Sequence, residues 1–297
     1  MNNAILFFFN INVSGIKKIN DNYYFKYLNN SYGIYLYNRD ITEVVFLYNL
    51  NLEVLNRGIG YTIILTKNNE ILFMYEDKYY ILMRFPNVIN RIITYDDIIS
   101  FSTLVNNKYK ILDKSNWGES WSRKIDFIEY QFNQMKNKYP IIDKYIDYYI
   151  GIWENGISYF NYNVSFNNKK YICHKRIFFN MDLYDFLNPL NFVVDFKERD
   201  IGEYIKSFAM NKNFSFQLID KYFNNLSRES IILVISRLLF PSYFFDLYEN
   251  IIVDKEDEKQ LLEIVNKRNI ILVLKHIFNA YTNINIPYIS WIKKEIS

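Results

Sequence analysis

Two short apolar segments of the chain each end in a polar side chain that could take part in chemistry. Tyr171–Cys173 is followed by His174, and Phe192–Val194 is followed by Asp195. Runs of this length and composition are typical of buried strands. A carboxylate at the end of such a strand can bind a hard divalent cation. Asp195 is therefore a candidate for a metal contact.

The same region departs from a working phosphoryl-transfer site at two positions. Phosphotransferases of the aminoglycoside and choline kinase type carry a His-x-Asp-x-x-x-x-Asn loop and, later in the chain, an apolar-apolar-Asp metal site. His174 and Asp195 match that spacing, but Arg176 takes the position of the loop Asp and Met181 that of the Asn. A guanidinium stays protonated and cannot act as a base near neutral pH. We therefore interpret His174 and Arg176 as a degenerate loop and assign no catalytic residue.

Other groups that hold a nucleotide are also missing from the sequence. The chain has 8 glycines and neither a Gly-x-Gly-x-x-Gly nor a Walker-type phosphate loop. Gly58 and Gly60 follow a predicted helix and suit its C-terminal end. The strand before the first long helix, Ile34–Tyr37, has no lysine, and Lys26, one strand earlier, is interpreted as a solvated residue. Glu43 is predicted to complete a capping box at the start of that helix.

For three charged residues of the degenerate region the sequence supports a structural role as well as a functional one. Asp195 either binds a metal or nucleotide, or is a buried carboxylate satisfied by backbone N–H groups or by Arg176. For Arg176 an ion pair with Asp195 is favoured over anion binding. Asp200 and Glu203 have capping-box spacing, so Asp200 is predicted to cap a helix that begins there.

Hydrophobic periodicity predicts a small sheet followed by a helical region. The predicted strands lie at 21–28, 34–37, 61–66, 71–76 and 79–84, with a helix at 41–55. Helices are predicted at 95–105, 117–138 and 141–160, and from Asp200 onward every strong segment is helical. The prediction is an α+β fold of the protein-kinase-like bilobal type. Residues 1–86 form a small antiparallel-sheet N-lobe with one helix, and 87–297 a mostly helical C-lobe with the degenerate region at 171–200.

Composition excludes several classes of function. The 297 residues are 50% hydrophobic and 19% aromatic, far from the composition of a disordered chain. Cys173 is the single cysteine, which rules out an intrachain disulfide and a thiolate metal cluster. The net charge of +3 is small and its charges are interspersed, so no nucleic-acid partner is predicted.

No membrane span and no secretory signal are expected. The apolar run at the N-terminus lacks preceding basic residues and a cleavage site. The stretch Ser230–Phe245 is interrupted by Arg237 and Pro241 and is short for a bilayer. These features predict a protein made in a reducing intracellular compartment.

Three segments resemble a known family, the spore coat proteins of the YutH type, within the wider CotS-like, aminoglycoside-phosphotransferase-like group. Asn116–Phe132 is similar to the family's Trp-x-x-x-Trp helix, and Asp195–Ile205 to its aspartate segment with Arg-Asp-aliphatic-x-Glu-aromatic. Ser236–Asn250 contains Arg-Leu-Leu-Phe-Pro, the most specific of the three strings.

The resemblance implies a kinase-like fold and a role in the coat of a bacterial endospore. It further implies synthesis in the mother-cell cytoplasm, later location in the coat, and other coat proteins as partners. Three hypotheses about activity follow: a pseudokinase-like structural or scaffolding factor without cofactor, a phosphotransferase for a small molecule or protein with displaced catalytic groups, or a nucleotide-binding regulator. The second and third require Mg·ATP. Arg176 and the missing strand lysine separate the first two, and Asp195 decides the third.

Overall fold

The computed structural model of the protein describes residues 1–104, 109–164, 169–211, 215–224, 226–253, 255–266, 269–281, 287 and 289. The chain divides into two compact units. The first contains Met1–Asp113, Tyr171–Lys175 and Asn180–Val194, and the second contains Lys114–Lys170, Arg176–Phe179 and Asp195–Ser297. These units do not coincide with the predicted boundary after residue 86, which stays a prediction.

Backbone pairing explains why the first unit extends past residue 86. The amide of Ile93 donates to the carbonyl of Met181 at 2.9 Å, and the amide of Ile172 donates to the carbonyl of Leu104 at 2.9 Å. The segment after the sheet is therefore hydrogen-bonded to strands and loops from much later in the chain.

An antiparallel sheet is the centre of the first unit. Its strands are β1 (Lys17–Ile19), β2 (Asn22–Tyr27), β3 (Asn30–Leu36), β4 (Thr62–Ile64), β5 (Phe73–Tyr75) and β6 (Lys78–Arg84). The order is β1-β2-β3-β6-β4, and β5 pairs with β6. A separate two-stranded sheet pairs β7 (Tyr171–His174) with β8 (Phe192–Asp195). All predicted strands are present, and β1 is an addition.

Helices make up most of the remaining described chain. In the first unit they are α1 (Asn2–Phe9), α2 (Val44–Leu55), α3 (Tyr95–Phe101) and α6 (Leu183–Leu187). In the second they are α4 (Trp117–Gln134), α5 (Pro140–Asn163), α7 (Glu198–Ala209), α8 (Phe216–Phe223), α9 (Arg228–Leu238), α10 (Ser242–Ile252), α11 (Leu261–Asn266) and α12 (Asn269–Ala280). The predicted helices are present, but α3 ends at Phe101 and α4 at Gln134, each four residues before its predicted end, and residue 105 lies outside the described residues. Helices α1 and α6 were not predicted.

The apolar N-terminal run folds as α1 because one face of the sheet needs a cover. Ile5 is fully buried and belongs to the same core as Phe25, Ile34 and Leu82. Residues on alternate positions of β2 and β3 point to this face, as the strand period requires. The helix ends at Phe9, and its C-cap residue Asn10 adopts the left-handed conformation at φ 55°.

The second unit is built around α9. It packs against α7 and α5, and α5 also packs against α4. By length and hydropathy the segment Arg228–Ile252 is apolar enough to cross a membrane, but 83% of its most apolar window is buried inside the protein. Burial to that degree is also the pattern of a core helix. The absence of a membrane span stays a prediction.

Candidate functional site

His174 lies at the end of β7 and is fully buried. Its Nε2 atom is 2.8 Å from the carbonyl oxygen of Phe186. The imidazole stacks on the ring of Phe186 with centroids 4.2 Å apart, and the ring of Phe101 lies 4.7 Å away. An enclosed imidazole held in this way positions the loop and does not reach a substrate.

Asp195, at the end of β8, has a side chain that is 0% exposed. Its Oδ2 accepts hydrogen bonds from Nη1 of Arg199 at 2.7 Å and from Nε1 of Trp117 at 3.1 Å. Its Oδ1 accepts from the amide of Phe196 at 2.7 Å. This geometry matches the buried, satisfied carboxylate that was one of the two alternatives. A cation at Asp195 would first have to displace Arg199.

The predicted pairing of Arg176 with Asp195 is wrong. Arg199 lies four residues after Asp195, on the first turn of α7, and takes the place of that partner. Arg176 instead donates from Nη2 to Oδ1 of Asp246 on α10, at 2.6 Å. Both side chains of this pair are about two-fifths exposed, at 40% and 37%. The guanidinium is thus committed to a carboxylate at a solvated position.

Substituting Arg176 with Asp is expected to leave the protein folded and inactive. A half-exposed ion pair contributes roughly 0–1 kcal/mol, so the free energy of unfolding should fall by about 1 kcal/mol, including repulsion from Asp246. Restoring one carboxylate should not create transfer, because the groups of a transfer site act as a unit. Urea denaturation and transfer of radiolabelled phosphate from ATP measure the two effects. Transfer by the variant would show that the other groups are in place.

The segment before the first long helix, where a kinase carries its lysine on a strand, holds Tyr35 and Tyr37 and no lysine. The Tyr35 side chain lies across Gly33, where an added Cβ would come within 2.4 Å of the ring. Its hydroxyl is 3.4 Å from that of Tyr61, and both residues are buried. Burial raises the pKa of both hydroxyls far above the ordinary value. Lys26 is exposed on β2, as interpreted.

Aromatic rings enclose the paired hydroxyl groups of Tyr35 and Tyr61. Ring centroids of Tyr61 and Phe85 are 5.2 Å apart, those of Phe85 and Tyr184 4.9 Å, and those of Tyr24 and Tyr35 5.9 Å. We call Tyr24, Tyr35, Tyr61, Phe85 and Tyr184 the aromatic cluster. It fills this face of the sheet with side chains of the protein itself.

Glu43 forms an ion pair with Arg39, and its predicted part in a capping box stays a prediction. Asp40 caps the 3₁₀ turn through the amide of Thr42. Nε of Arg39 donates to Oε2 of Glu43 at 2.6 Å. The same guanidinium, with a side chain 1% exposed, donates from Nη1 to the carbonyls of Leu190 and Phe192 at 3.0 and 2.7 Å. The glutamate that would meet a strand lysine is therefore held by an arginine.

A buried charge network lies on α7 and α9. Glu203 accepts from Nε of Arg237 at 2.6 Å and forms an ion pair with Lys206 at 2.7 Å. Nζ of Lys206 also donates to the carbonyl of Phe240 and to Oγ of Ser242, both at 3.0 Å. The three ionic side chains are at most 7% exposed. Every charge in this set has a partner of opposite sign, as burial requires.

The pKa values of this network follow from burial and pairing. Burial raises the pKa of Glu203, but Arg237 and Lys206 outweigh it, so the net pKa lies well below the ordinary value. Burial lowers the pKa of Lys206 to about 7, against the attraction of Glu203. We name Glu203, Lys206 and Arg237 the charge triad.

Arg237 joins the triad to an aromatic stack. Its guanidinium carbon lies 5.4, 5.7 and 4.7 Å from the ring centroids of Trp117, Trp121 and Phe240. Gly202 allows this approach, since an added Cβ would lie 2.8 Å from Cβ of Arg237. The three segments that carried the family resemblance therefore meet at one buried place. These residues are far apart in the sequence, and only the structure shows that they lie close together.

The predicted cap at Asp200 is also wrong. Helix α7 begins at Glu198, two residues earlier, and its N-terminus has no side-chain cap. Asp200 is 2% exposed within the first turn. Glu198 accepts from Oγ of Ser230 at 2.5 Å, and burial raises its pKa. Asp195, Arg199 and Glu203 are spaced four residues apart, which is about one helical turn. This spacing indicated a helix that begins before Asp200.

No metal centre is evident in the described part of the chain. Within it, no group of three or more His, Cys, Asp or Glu side chains is placed to hold an ion. The metal role predicted for Asp195 stays a prediction.

A family model described as spore coat putative kinase YutH matches residues 2–270. The chain belongs to the YutH spore coat family. It is 26% identical over 252 residues to the endospore coat-associated protein YutH of Bacillus subtilis (strain 168), covering 75% of this chain and 74% of that relative. The predicted family and the predicted spore coat location are confirmed. Synthesis in the mother cell stays a prediction.

Solved structures show the fold of this YutH family member. The AMP-bound complex of spectinomycin phosphotransferase superposes with a TM-score of 0.58 at 13% identity, over 93% of each chain. An aminoglycoside phosphotransferase from Alicyclobacillus acidocaldarius gives a TM-score of 0.56 at 8% identity, over 95% of this chain and 93% of that one. The predicted α+β, protein-kinase-like fold is confirmed.

Proposed function

We propose that this YutH family member is a pseudokinase-like structural or scaffolding factor in assembly of the endospore coat, acting without a cofactor. The observation that carries the proposal is Tyr35. It stands on the strand where a phosphotransferase needs a lysine, and it is locked into the aromatic cluster through Tyr61. Family membership and the name of the Bacillus relative support the role in the coat. The partners proposed are other coat proteins, with no nucleic acid.

The chemistry of phosphoryl transfer makes the proposal specific. Transfer relies on phosphate positioning, a bridging metal ion and a group that orients the acceptor. In this chain Arg176 replaces the orienting carboxylate and is paired with Asp246. Loss of general-base catalysis alone slows a reaction by about 10²–10⁴-fold. Asp195 is in turn bonded to Arg199, so the metal-binding group is engaged as well.

A nucleotide-binding role is the second candidate, with Mg·ATP as ligand. It is favoured by the superposition on an AMP-bound phosphotransferase over 93% of the chain. A nucleotide in this protein would have to open the aromatic cluster or use a different face. A phosphotransferase with displaced catalytic groups would also have to open the aromatic cluster or bind its nucleotide at a different face.

Millimolar Mg·ATP is expected to leave the melting temperature of the protein unchanged. A ligand at 100 times its Kd stabilises the native state by about 2.7 kcal/mol, which a melting curve resolves easily. Because the aromatic cluster fills the sheet face, no such gain is expected. Differential scanning fluorimetry with Mg·ATP, Mg·ADP and Mg²⁺ alone measures it, and a radiolabelled-ATP assay on the same sample tests transfer.

A matched pair of variants separates the candidates. Asp195→Asn removes the only predicted metal ligand, whereas Asp126→Asn changes an exposed carboxylate on α4. A melting shift with Mg·ATP that Asp195→Asn abolishes and Asp126→Asn keeps would favour the nucleotide-binding regulator. Phosphate transfer by the wild-type chain would move the protein into the enzyme class.

A further inference from the structure

A cavity of about 720 Å³ opens on the first unit, next to Tyr184 of the aromatic cluster, whose hydroxyl donates to the carbonyl of the lining residue Val88 at 3.1 Å. Its size falls within the roughly 300–1,000 Å³ typical of small-molecule sites. Residues of helices α3 and α6 line its floor, and residues of the loops that follow α2 and β6 lie at its mouth. Tyr35, Arg176 and Asp195 do not line this cavity.

The floor of the cavity is apolar. Phe101, Leu104, Leu183, Phe186 and Leu187 line it, and each is at most 9% exposed. An apolar group that enters would therefore replace water against side chains that are otherwise well packed. Burial of apolar surface is worth about 25 cal/mol per Å², so even a short hydrocarbon would gain from entry. The apolar floor therefore favours a ligand with an apolar body.

The rim of the cavity is cationic. Nη1 of Arg57 donates to the neutral Oγ1 of Thr103 at 2.6 Å, and Arg57 has no carboxylate partner among the described residues. Arg91 forms two hydrogen bonds of 2.7 Å to Asp97, and these bonds lower the pKa of Asp97 to about 2. Asp97 therefore neutralises Arg91 at neutral pH. The charge left over at the mouth is that of Arg57.

We infer that this cavity binds a small amphiphile, an apolar chain or ring system that carries one carboxylate or similar anionic group. The apolar body lies on the floor formed by α3 and α6, and the anion pairs with Arg57. Ile89, which lines the mouth and is 87% exposed, would lose most of its contact with water once the cavity is filled. The inference holds whether or not the protein binds nucleotide.

Decanoate and decan-1-ol, used below the micelle concentration of decanoate, test the inference by isothermal titration calorimetry. Decanoate is expected to bind with 1:1 stoichiometry and decan-1-ol more weakly. Arg57→Gln should weaken decanoate about tenfold, the effect of losing a charged hydrogen bond, and leave decan-1-ol unchanged. Arg123→Gln, which alters an exposed arginine on α4, is the matched control and should change neither.

A filled-cavity variant locates the bound ligand. Ser100 lines the cavity and is exposed, so Ser100→Trp should fold and abolish binding of both probes. Ile99→Trp, one residue away and outside the lining, should bind as the wild type does. Equal binding by Ser100→Trp, or no binding of decanoate to the wild type at millimolar concentration, would overturn the inference. Arg57→Gln without effect on decanoate would overturn its anionic part.

The two histidines of the chain give an independent readout. His174 contacts Phe101 and Phe186, which belong to the cavity floor, whereas His276 lies on α12 against Asp220. Decanoate is expected to shift the imidazole proton resonances of His174 and leave those of His276 in place. A shift confined to His276, or equal shifts at both, would contradict binding at this cavity.

Discussion

Replacing Arg237 with Met is expected to lower the free energy of unfolding by about 3–5 kcal/mol. Removing one partner of a buried ion pair leaves the other charge uncompensated, and that penalty is of this size. Arg237 is 2% exposed, and its removal leaves Glu203 with Lys206 as its ion-pair partner among the described residues. The substitution also removes the cation that lies against Trp117 and Trp121. Urea denaturation of the purified variant measures the loss.

An exposed arginine of the same protein provides the control. Arg123 pairs with Glu119 one helical turn earlier, with side chains 71% and 60% exposed. Arg123→Met should change the free energy of unfolding by less than about 1 kcal/mol. The double variant Arg237→Met with Glu203→Gln should lose less than the sum of the two single variants, because the residues are in direct contact. Strict additivity, or a loss at Arg237 no larger than at Arg123, would show that the triad is not a coupled unit.

Replacing Asp195 with Asn should destabilise the protein by about 3 kcal/mol in buffer that holds neither metal nor nucleotide. Asn keeps the size of the side chain but loses the charge that pairs with Arg199, whose side chain is 10% exposed. Loss of this charged partner of a buried arginine is the source of the penalty. The free energy of unfolding is measured by chemical denaturation with and without Mg·ATP. The difference in this free energy between variant and wild type should be the same in both conditions.

The comparison with Asp126→Asn tests whether that effect is specific. Asp126 is exposed, so its variant should be as stable as the wild type within about 0.5 kcal/mol. A metal-binding Asp195 predicts a different result. In that case the variant would be close to wild type without metal, and a stabilisation by Mg·ATP would be present in the wild type and lost in the variant.

The family motifs hold the fold together through their contacts. Trp117 is 1% exposed and donates to Asp195, and Arg237 faces the same indole. Sequence similarity to the family in these segments therefore reflects a similar arrangement of α4, α7 and α9. It identifies the family and the fold without requiring that the chemistry be kept.

Local patterns in the sequence were enough to predict most elements. The alternation in β2 and β3 and the 3–4 spacing in α4 and α5 depend on residues that are near in the chain, so they could be read directly. The replacement of the loop Asp by Arg176 and the lack of a strand lysine were visible in the same way. Helix α1 could not be predicted, because its apolar run becomes a helix by covering a sheet face formed by later residues.

The partner of each charge was decided by the tertiary structure. The sequence analysis predicted Arg176 as the partner of Asp195, but the helical path of α7 brings Arg199 to Asp195, and Arg176 pairs with Asp246. Tyr35 pairs with Tyr61, which lies beyond α2 and directly before β4. Ion pairs and ring contacts depend on distances between atoms that the fold brings together across many residues, and side-chain types alone do not contain those distances. The sequence determined which groups a phosphotransferase site would lack, and the tertiary structure decided what the remaining groups bind instead.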